Sequence, residues 1–161
     1  MLDDSLKNRI LRLIRSEVVP AVGCTEPVAV ALAVARATEL AGTDRNALSA
    51  VTCRLSANII KNAMGVGIPG TGMTGLPIAV ALGALRGRSE NGLEVLAGIS
   101  DDDVAAGRAL IDRGIIGISL AADADSVLYI DVSVTGADGS ISTRMPVSKI
   151  DNTEKPVNFF P

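Results

Sequence analysis

Apolar and polar residues recur with a helical period over most of the first two-thirds of the chain. Leu6, Ile10 and Leu13 fall on one stripe of a first predicted helix, whose other side carries lysine and arginine. Longer apolar runs over residues 26–41 and 76–85 predict two further helices. The last two are apolar on most sides, which indicates that both are buried.

After residue 114 the pattern changes to a period of two, as in strands with one buried face. The predicted strands are residues 50–56, 115–120, 126–134 and 140–147. This switch predicts an α/β (α+β) two-layer sandwich, with a small, mostly antiparallel sheet packed by apolar helices. We expect residues 1–147 to form a single globular domain and residues 148–161, which are polar and hold two prolines, to form an exposed tail.

The amino-acid composition argues against several classes of function. The net charge of −3 and an aromatic content of 2% argue against a nucleic-acid partner. No apolar run reaches the roughly 20 residues that a membrane span needs, so no membrane partner is expected. The chain has no histidine, which excludes Ser-His-Asp and Cys-His sites. Its two cysteines are too few for a disulfide framework, and we therefore expect a reduced, cytoplasmic setting.

The most distinctive short segment is VGCTEP at residues 22–27, where the second helix begins. Thr25 is a candidate N-cap, and Glu26 places a negative charge at the positive end of the helix dipole. Cys24 is expected beside free backbone N–H groups, which favour a thiolate, and a thiolate is both a nucleophile and a metal ligand. The alternative is a small buried cysteine at a tight turn.

Two later segments also carry candidate chemistry. Asn58, Lys61 and Asn62 lie within about one helical turn of each other, although solvated side chains are the alternative. Residues 65–75 are the most glycine-rich part of the chain and suit either a nest of N–H groups for a carboxylate or phosphate, or a tight crossover. A dinucleotide fingerprint is rejected, because no strand directly precedes these glycines and Pro69 interrupts the helix it requires.

Together these segments resemble the amino-terminal portion of the L-cysteine desulfidase family, which is related to the alpha chain of iron–sulfur L-serine dehydratases. The resemblance covers residues 17–99 and rests on VGCTEP, LSANIIKNAMGVGIPGTGMTGLPIAVALGAL and NGLEVLAGI. It implies a lyase that eliminates sulfide from L-cysteine, giving pyruvate and ammonia with a [4Fe–4S] cluster. An L-serine dehydratase-like activity is the related alternative.

The resemblance also implies roles for individual residues. Cys24 and Lys61 become candidate catalytic residues, and Cys24 is a candidate cluster ligand or a thiol close to the cluster. The candidate substrate-binding residues are Thr25, Glu26, Asn58, Asn62, Gly70, Thr71 and Gly72. We expect Cys24 and residues 69–72 to line one site for a small amino acid.

Chains of that family continue well past this length, and their other cysteines lie in the additional part. Cys53 falls on the apolar face of the strand predicted over residues 50–56, so only Cys24 is left to hold iron. A four-iron cluster needs about three or four thiolates, so we expect this chain alone to be inactive and to hold no intact cluster. It is expected to assemble with further copies of itself or with a complementary carboxyl-terminal chain. The alternative is a catalytically silent domain whose partner carries the remaining ligands.

Overall fold

The computed structural model describes residues 3–17, 23–137, 139 and 145–148. Its helices are α1 (Asp4–Glu17), α2 (Thr25–Ala41), α3 (Ala57–Ala63), α4 (Leu76–Leu85) and α5 (Asp101–Asp112). Its strands are β1 (Leu48–Leu55), β2 (Gly67–Ile68), β3 (Met73–Thr74), β4 (Ile116–Leu120), β5 (Tyr129–Gly136) and β6 (Met145–Ser148). Short 3₁₀ helices span Arg45–Ala47 and Ser89–Glu94.

A four-stranded sheet in the order β4–β1–β5–β6 forms the centre of the fold. β1 pairs with β4 in parallel and with β5 antiparallel, and β5 pairs antiparallel with β6. Each of the predicted strand segments therefore contributes to one mixed, mostly antiparallel sheet. The predicted α+β sandwich is confirmed.

Several strand boundaries differ from the prediction by one to three residues. β5 begins at Tyr129, later than expected, because the Ser126 hydroxyl accepts a hydrogen bond from the Leu128 N–H and donates one to the Leu128 carbonyl. Such local bonds compete with the sheet for the backbone groups. β6 extends to Ser148, which the prediction assigned to the tail. The rest of that predicted tail, residues 149–161, lies outside the described residues, as do residues 140–144 of the predicted strand.

One face of the sheet forms the core with α2 and α4. Val51, Cys53 and Leu55 of β1 are fully buried and lie in register with buried aliphatic residues of β5. Cys53 is a core residue, as predicted, and burial raises the pKa of its thiol to about 12. This thiol is therefore protonated and inaccessible to ligands at neutral pH.

α4 is buried on nearly every side because it lies between α2 and α5. This placement explains why its sequence is apolar without a helical period. The helices approach each other closely at Gly83, where a Cβ atom would lie 2.6 Å from the Ala31 carbonyl oxygen. Only a residue without a side chain fits at this crossing.

α1 is the amphipathic helix that the apolar stripe predicted. Its aliphatic residues remain largely exposed, with Leu6 at 42% and Leu13 at 60% relative exposure. Within the described ranges, no helix has the length and apolar character to cross a lipid bilayer.

Candidate functional site

The start of α2 differs by one residue from the sequence prediction. Gly23 has a φ of +94° and Cys24 is extended, so that Thr25 is already the first helical residue. Cys24 therefore stands at the N-cap position predicted for Thr25, and its side chain makes no capping hydrogen bond. The Cys24 thiol instead donates a hydrogen bond to the side chain of Glu26.

Cys24, Glu26 and Asn62 form a continuous hydrogen-bonded chain. The Cys24 Sγ–H donates to Glu26 Oε2 across 3.1 Å, and Asn62 Nδ2 donates to Glu26 Oε1 across 2.9 Å. Each carboxylate oxygen thus has its own donor, and all three side chains are partly exposed. The carboxylate is held in one orientation by the residue that precedes α2 and by a residue of α3.

The shared hydrogen bond moves the two pKa values in opposite directions. The bond from Cys24, followed by that from Asn62, lowers the pKa of Glu26. The same bond to Glu26, with burial as a smaller cause, raises the pKa of Cys24. The expectation of a thiolate at this helix start is therefore wrong for the isolated chain, because the adjacent carboxylate outweighs the helix N-terminus. At neutral pH the pair consists of a thiol and a carboxylate.

The glycine-rich segment folds as a hairpin of β2 and β3, and its turn lies next to Gly23. Pro69 packs against Gly23, where a Cβ atom would lie 2.9 Å from Pro69 Cδ. Gly70 and Gly72 have φ values of +77° and +62°, which suits the tight turn. The structure thus brings the predicted residues 69–72 beside the beginning of α2.

Thr71 lies in this turn with its hydroxyl already engaged. Its Oγ1 donates to the Ile68 carbonyl at 2.7 Å and accepts from the Met73 N–H at 3.0 Å, and the residue is 5% exposed. This geometry holds the hairpin turn together. Gly70 and Gly72, the other two candidate residues of this turn, have exposed backbone and are therefore better placed than Thr71 to contact a ligand.

The candidate residues of α3 differ in their surroundings. Asn58 is partly exposed and precedes Asn62 by about one helical turn, on the same side of α3. Lys61 is exposed, and among the described residues it has no hydrogen-bond or ion-pair partner. Sequence reasoning named Glu26 and Asn62 separately but missed their direct bond, because no short motif links residues 36 positions apart.

The described residues do not fit a four-iron cluster. Such a cluster needs about three or four thiolates, whereas Cys53 is fully buried and Cys24 carries a proton held by Glu26. In the described part of the chain, no group of three or more histidine, cysteine, aspartate or glutamate residues is placed to hold a metal ion. No step is therefore assigned to a cluster on this chain.

The chain is similar in sequence to UPF0597 proteins. It is 56% identical over 139 residues to the UPF0597 protein of Phocaeicola vulgatus, covering 86% of this chain and 31% of that protein. It is 49% identical over 142 residues to the UPF0597 protein of Photobacterium profundum, covering 88% of this chain and 32% of that protein. The chain thus spans about a third of the length of the curated relatives it matches. No family model and no solved structure matches it.

These relatives correct the family expected from the sequence motifs. Proteins that share 46% to 56% identity with the chain are named UPF0597, a family distinct from the cysteine desulfidases and serine dehydratases. The resemblance over residues 17–99 to the L-cysteine desulfidase family is therefore wrong as a family prediction. Glycine-rich segments allow tight turns, and a GCTEP-like segment begins a helix. Different families can share both because the segments meet local structural needs.

Proposed function

We propose that this chain supplies the proton-transfer part of an amino-acid lyase, which removes a thiol or hydroxyl group from Cβ of a small amino acid. The observation that supports the proposal is the Cys24–Glu26 hydrogen bond of 3.1 Å, with the two pKa values displaced in opposite directions. Neighbouring groups with separated pKa values are the usual arrangement of an acid and a base. Elimination requires both, because one proton leaves Cα and another reaches the leaving group.

The residue roles follow from the protonation states. Glu26, which is ionised, accepts the proton from Cα while the bond from Cβ to sulfur or oxygen breaks and a double bond forms between Cα and Cβ. Cys24 donates its thiol proton to the departing sulfide or hydroxide. Protonated Glu26 then returns a proton to Cys24 along their hydrogen bond. The 2-aminoacrylate product tautomerises and is hydrolysed by water to pyruvate and ammonia.

The remaining candidates suit binding and orientation. Lys61 offers an exposed ammonium group for a substrate carboxylate, and Asn58 offers an amide one helical turn before Asn62. Gly70 and Gly72 have exposed backbone and lie at the same end of the site, because Pro69 of the same turn packs against Gly23. Asn62 acts on Glu26 and is a positioning residue in this scheme. L-cysteine and L-serine are the proposed substrates, because each carries its leaving group on Cβ.

Titration of the isotopically labelled chain with L-cysteine and L-serine, followed by nuclear magnetic resonance, tests the proposal. We expect the amide signals of Glu26 and Asn62 to shift with either amino acid, and Glu26→Gln to weaken this response. Glu94→Gln, which changes an exposed glutamate of the second 3₁₀ helix, is the matched control. Absence of any shift near α2 and α3 at millimolar amino acid would contradict the proposal.

A second proposal is a catalytically silent domain that assembles with a partner chain. It is supported by the aliphatic side chains that α1 leaves exposed, such as Leu6 at 42% and Leu13 at 60% relative exposure. The partner would then carry any iron–sulfur ligands that this chain lacks. The same titration distinguishes the two proposed functions, since a silent domain binds neither amino acid at Glu26.

For either function we propose a cytoplasmic location, which the two free thiols support.

A further inference from the structure

β4 forms one edge of the sheet, and this edge carries neither a charge nor a proline that would oppose strand pairing. Among the described residues, β1 is its sole neighbour in the sheet. β4 reads Ile-Gly-Ile-Ser-Leu, with no charge and no proline. The opposite edge strand, β6, contains Pro146, which lacks a backbone N–H. Natural sheets normally protect exposed edges with charges, prolines or bulges.

The outward-facing backbone groups of β4 follow from its pairing with β1. The Val51 N–H bonds to the Ile115 carbonyl and the Ala121 N–H bonds to the Leu55 carbonyl, each at 2.8 Å. Bonding residues alternate along a strand. The N–H and C=O groups of the intervening alternate residues therefore point away from β1, and these residues are Ile116, Ile118 and Leu120.

We propose that β4 pairs antiparallel with β4 of a second copy of this chain, about a two-fold axis through Ile118. In this register Ile118 lies opposite its own counterpart, and Ile116 lies opposite Leu120 of the second copy. Every outward N–H and C=O of the three residues then gains a partner. Joining the two sheets produces one continuous sheet across the dimer, the closed symmetry that most homodimers adopt.

The side chains fit this register on both faces of the sheet. Leu120 is 54% exposed on the core side, and pairing would cover it with Ile116 of the second copy. On the other face Gly117 would lie opposite Ser119, so two small uncharged residues meet. No like charges oppose each other anywhere along the strand, which is why a second copy of the chain is the partner proposed.

Sedimentation velocity over a range of protein concentrations tests the dimer. We expect a reversible dimer that Leu120→Glu weakens about tenfold or more, because a carboxylate would oppose an apolar side chain at two equivalent places. Leu40→Glu is the matched control, since Leu40 is 49% exposed at the end of α2, away from the edge. Hydrogen exchange at the Ile118 amide should slow as concentration rises.

Three outcomes would overturn the proposal. The first is a chain that remains monomeric at all accessible concentrations. The second is equal weakening by Leu120→Glu and Leu40→Glu. The third is a dimer that Leu13→Glu abolishes while Leu120→Glu leaves it intact, which would assign the contact to the exposed face of α1. Because each substituted side chain is largely exposed, circular dichroism should show that all three variants fold.

Discussion

The thiol of Cys24 donates a hydrogen bond to Oε2 of Glu26 across 3.1 Å, two residues along the same turn of chain. A helix N-terminus by itself would lower the pKa of Cys24. The contact with Glu26 raises it instead, because a carboxylate acceptor stabilises the protonated sulfur. The same contact makes Glu26 a stronger acid than it would be without the thiol beside it. The reactivity of Cys24 is therefore set mainly by its neighbour Glu26.

Replacing Glu26 should make Cys24 more acidic. In Glu26→Gln the negative charge and the strongest acceptor of the thiol proton are lost, so the pKa of Cys24 should fall. The rate of alkylation by iodoacetamide, measured against pH, reports this pKa, and its midpoint should move to lower pH. Glu94→Gln serves as the control and should leave the midpoint in place. An unchanged midpoint in Glu26→Gln would show that the hydrogen bond does not govern the thiol.

Removing the Asn62 amide should raise the pKa of Glu26. The folded-state pKa of Glu26 lies below its usual value, so its stabilising contribution is present above the usual pKa and is lost as pH falls through the folded value. Asn62→Ala should reduce that contribution and shift acid unfolding to higher pH. Carbon-13 titration of the carboxyl groups measures the pKa directly. Asn58→Ala, one turn earlier on α3, is the control and should leave Glu26 unchanged.

Cys53 should destabilise the fold at high pH. Its folded-state pKa of about 12 exceeds the unfolded value, so its contribution is complete below the unfolded pKa and is lost as pH rises toward the folded pKa. Between about pH 9 and about pH 11 the free energy of unfolding should fall by roughly 2 kcal/mol from this group. In Cys53→Ala this part of the decrease should disappear, although the cavity lowers overall stability. Urea unfolding at several pH values measures the difference, and parallel pH profiles for both proteins would contradict the prediction.

Gly23 should tolerate a side chain less well than Gly42. Both have positive φ, but an added Cβ meets Pro69 at 2.9 Å in the first case and nothing within 4 Å in the second. Gly42→Ala should cost about 1 kcal/mol from backbone strain alone. Gly23→Ala should cost about 2–3 kcal/mol, because the hairpin turn must also move. Urea unfolding compares them, and equal costs would indicate that the contact with Pro69 contributes nothing to stability.

The spacing of apolar residues along the chain was sufficient to predict the main helices and strands. The α1 stripe, the apolar α2 and α4 segments and the alternation of β1 are properties of local sequence, and each element formed where its pattern indicated. Gly42 ends α2 in a left-handed conformation, and Ser100 forms a capping box with Asp103 at the start of α5. These features depend on side chains within a few residues of each other, which is why the sequence is enough to predict them.

The candidate site depended on tertiary structure. The sequence by itself determined that a cysteine, a glutamate and a glycine-rich turn were present, and that Cys53 belonged to the core. Only the folded chain placed Asn62 on Glu26 and Pro69 on Gly23, contacts between residues far apart in sequence. The Asn62 contact adds to the lowering of the Glu26 pKa, whereas the pKa of Cys24 is raised mainly by Glu26 itself. The physical reason is that a pKa depends on all groups within a few ångströms, and those neighbours are set by how the helices and hairpin pack.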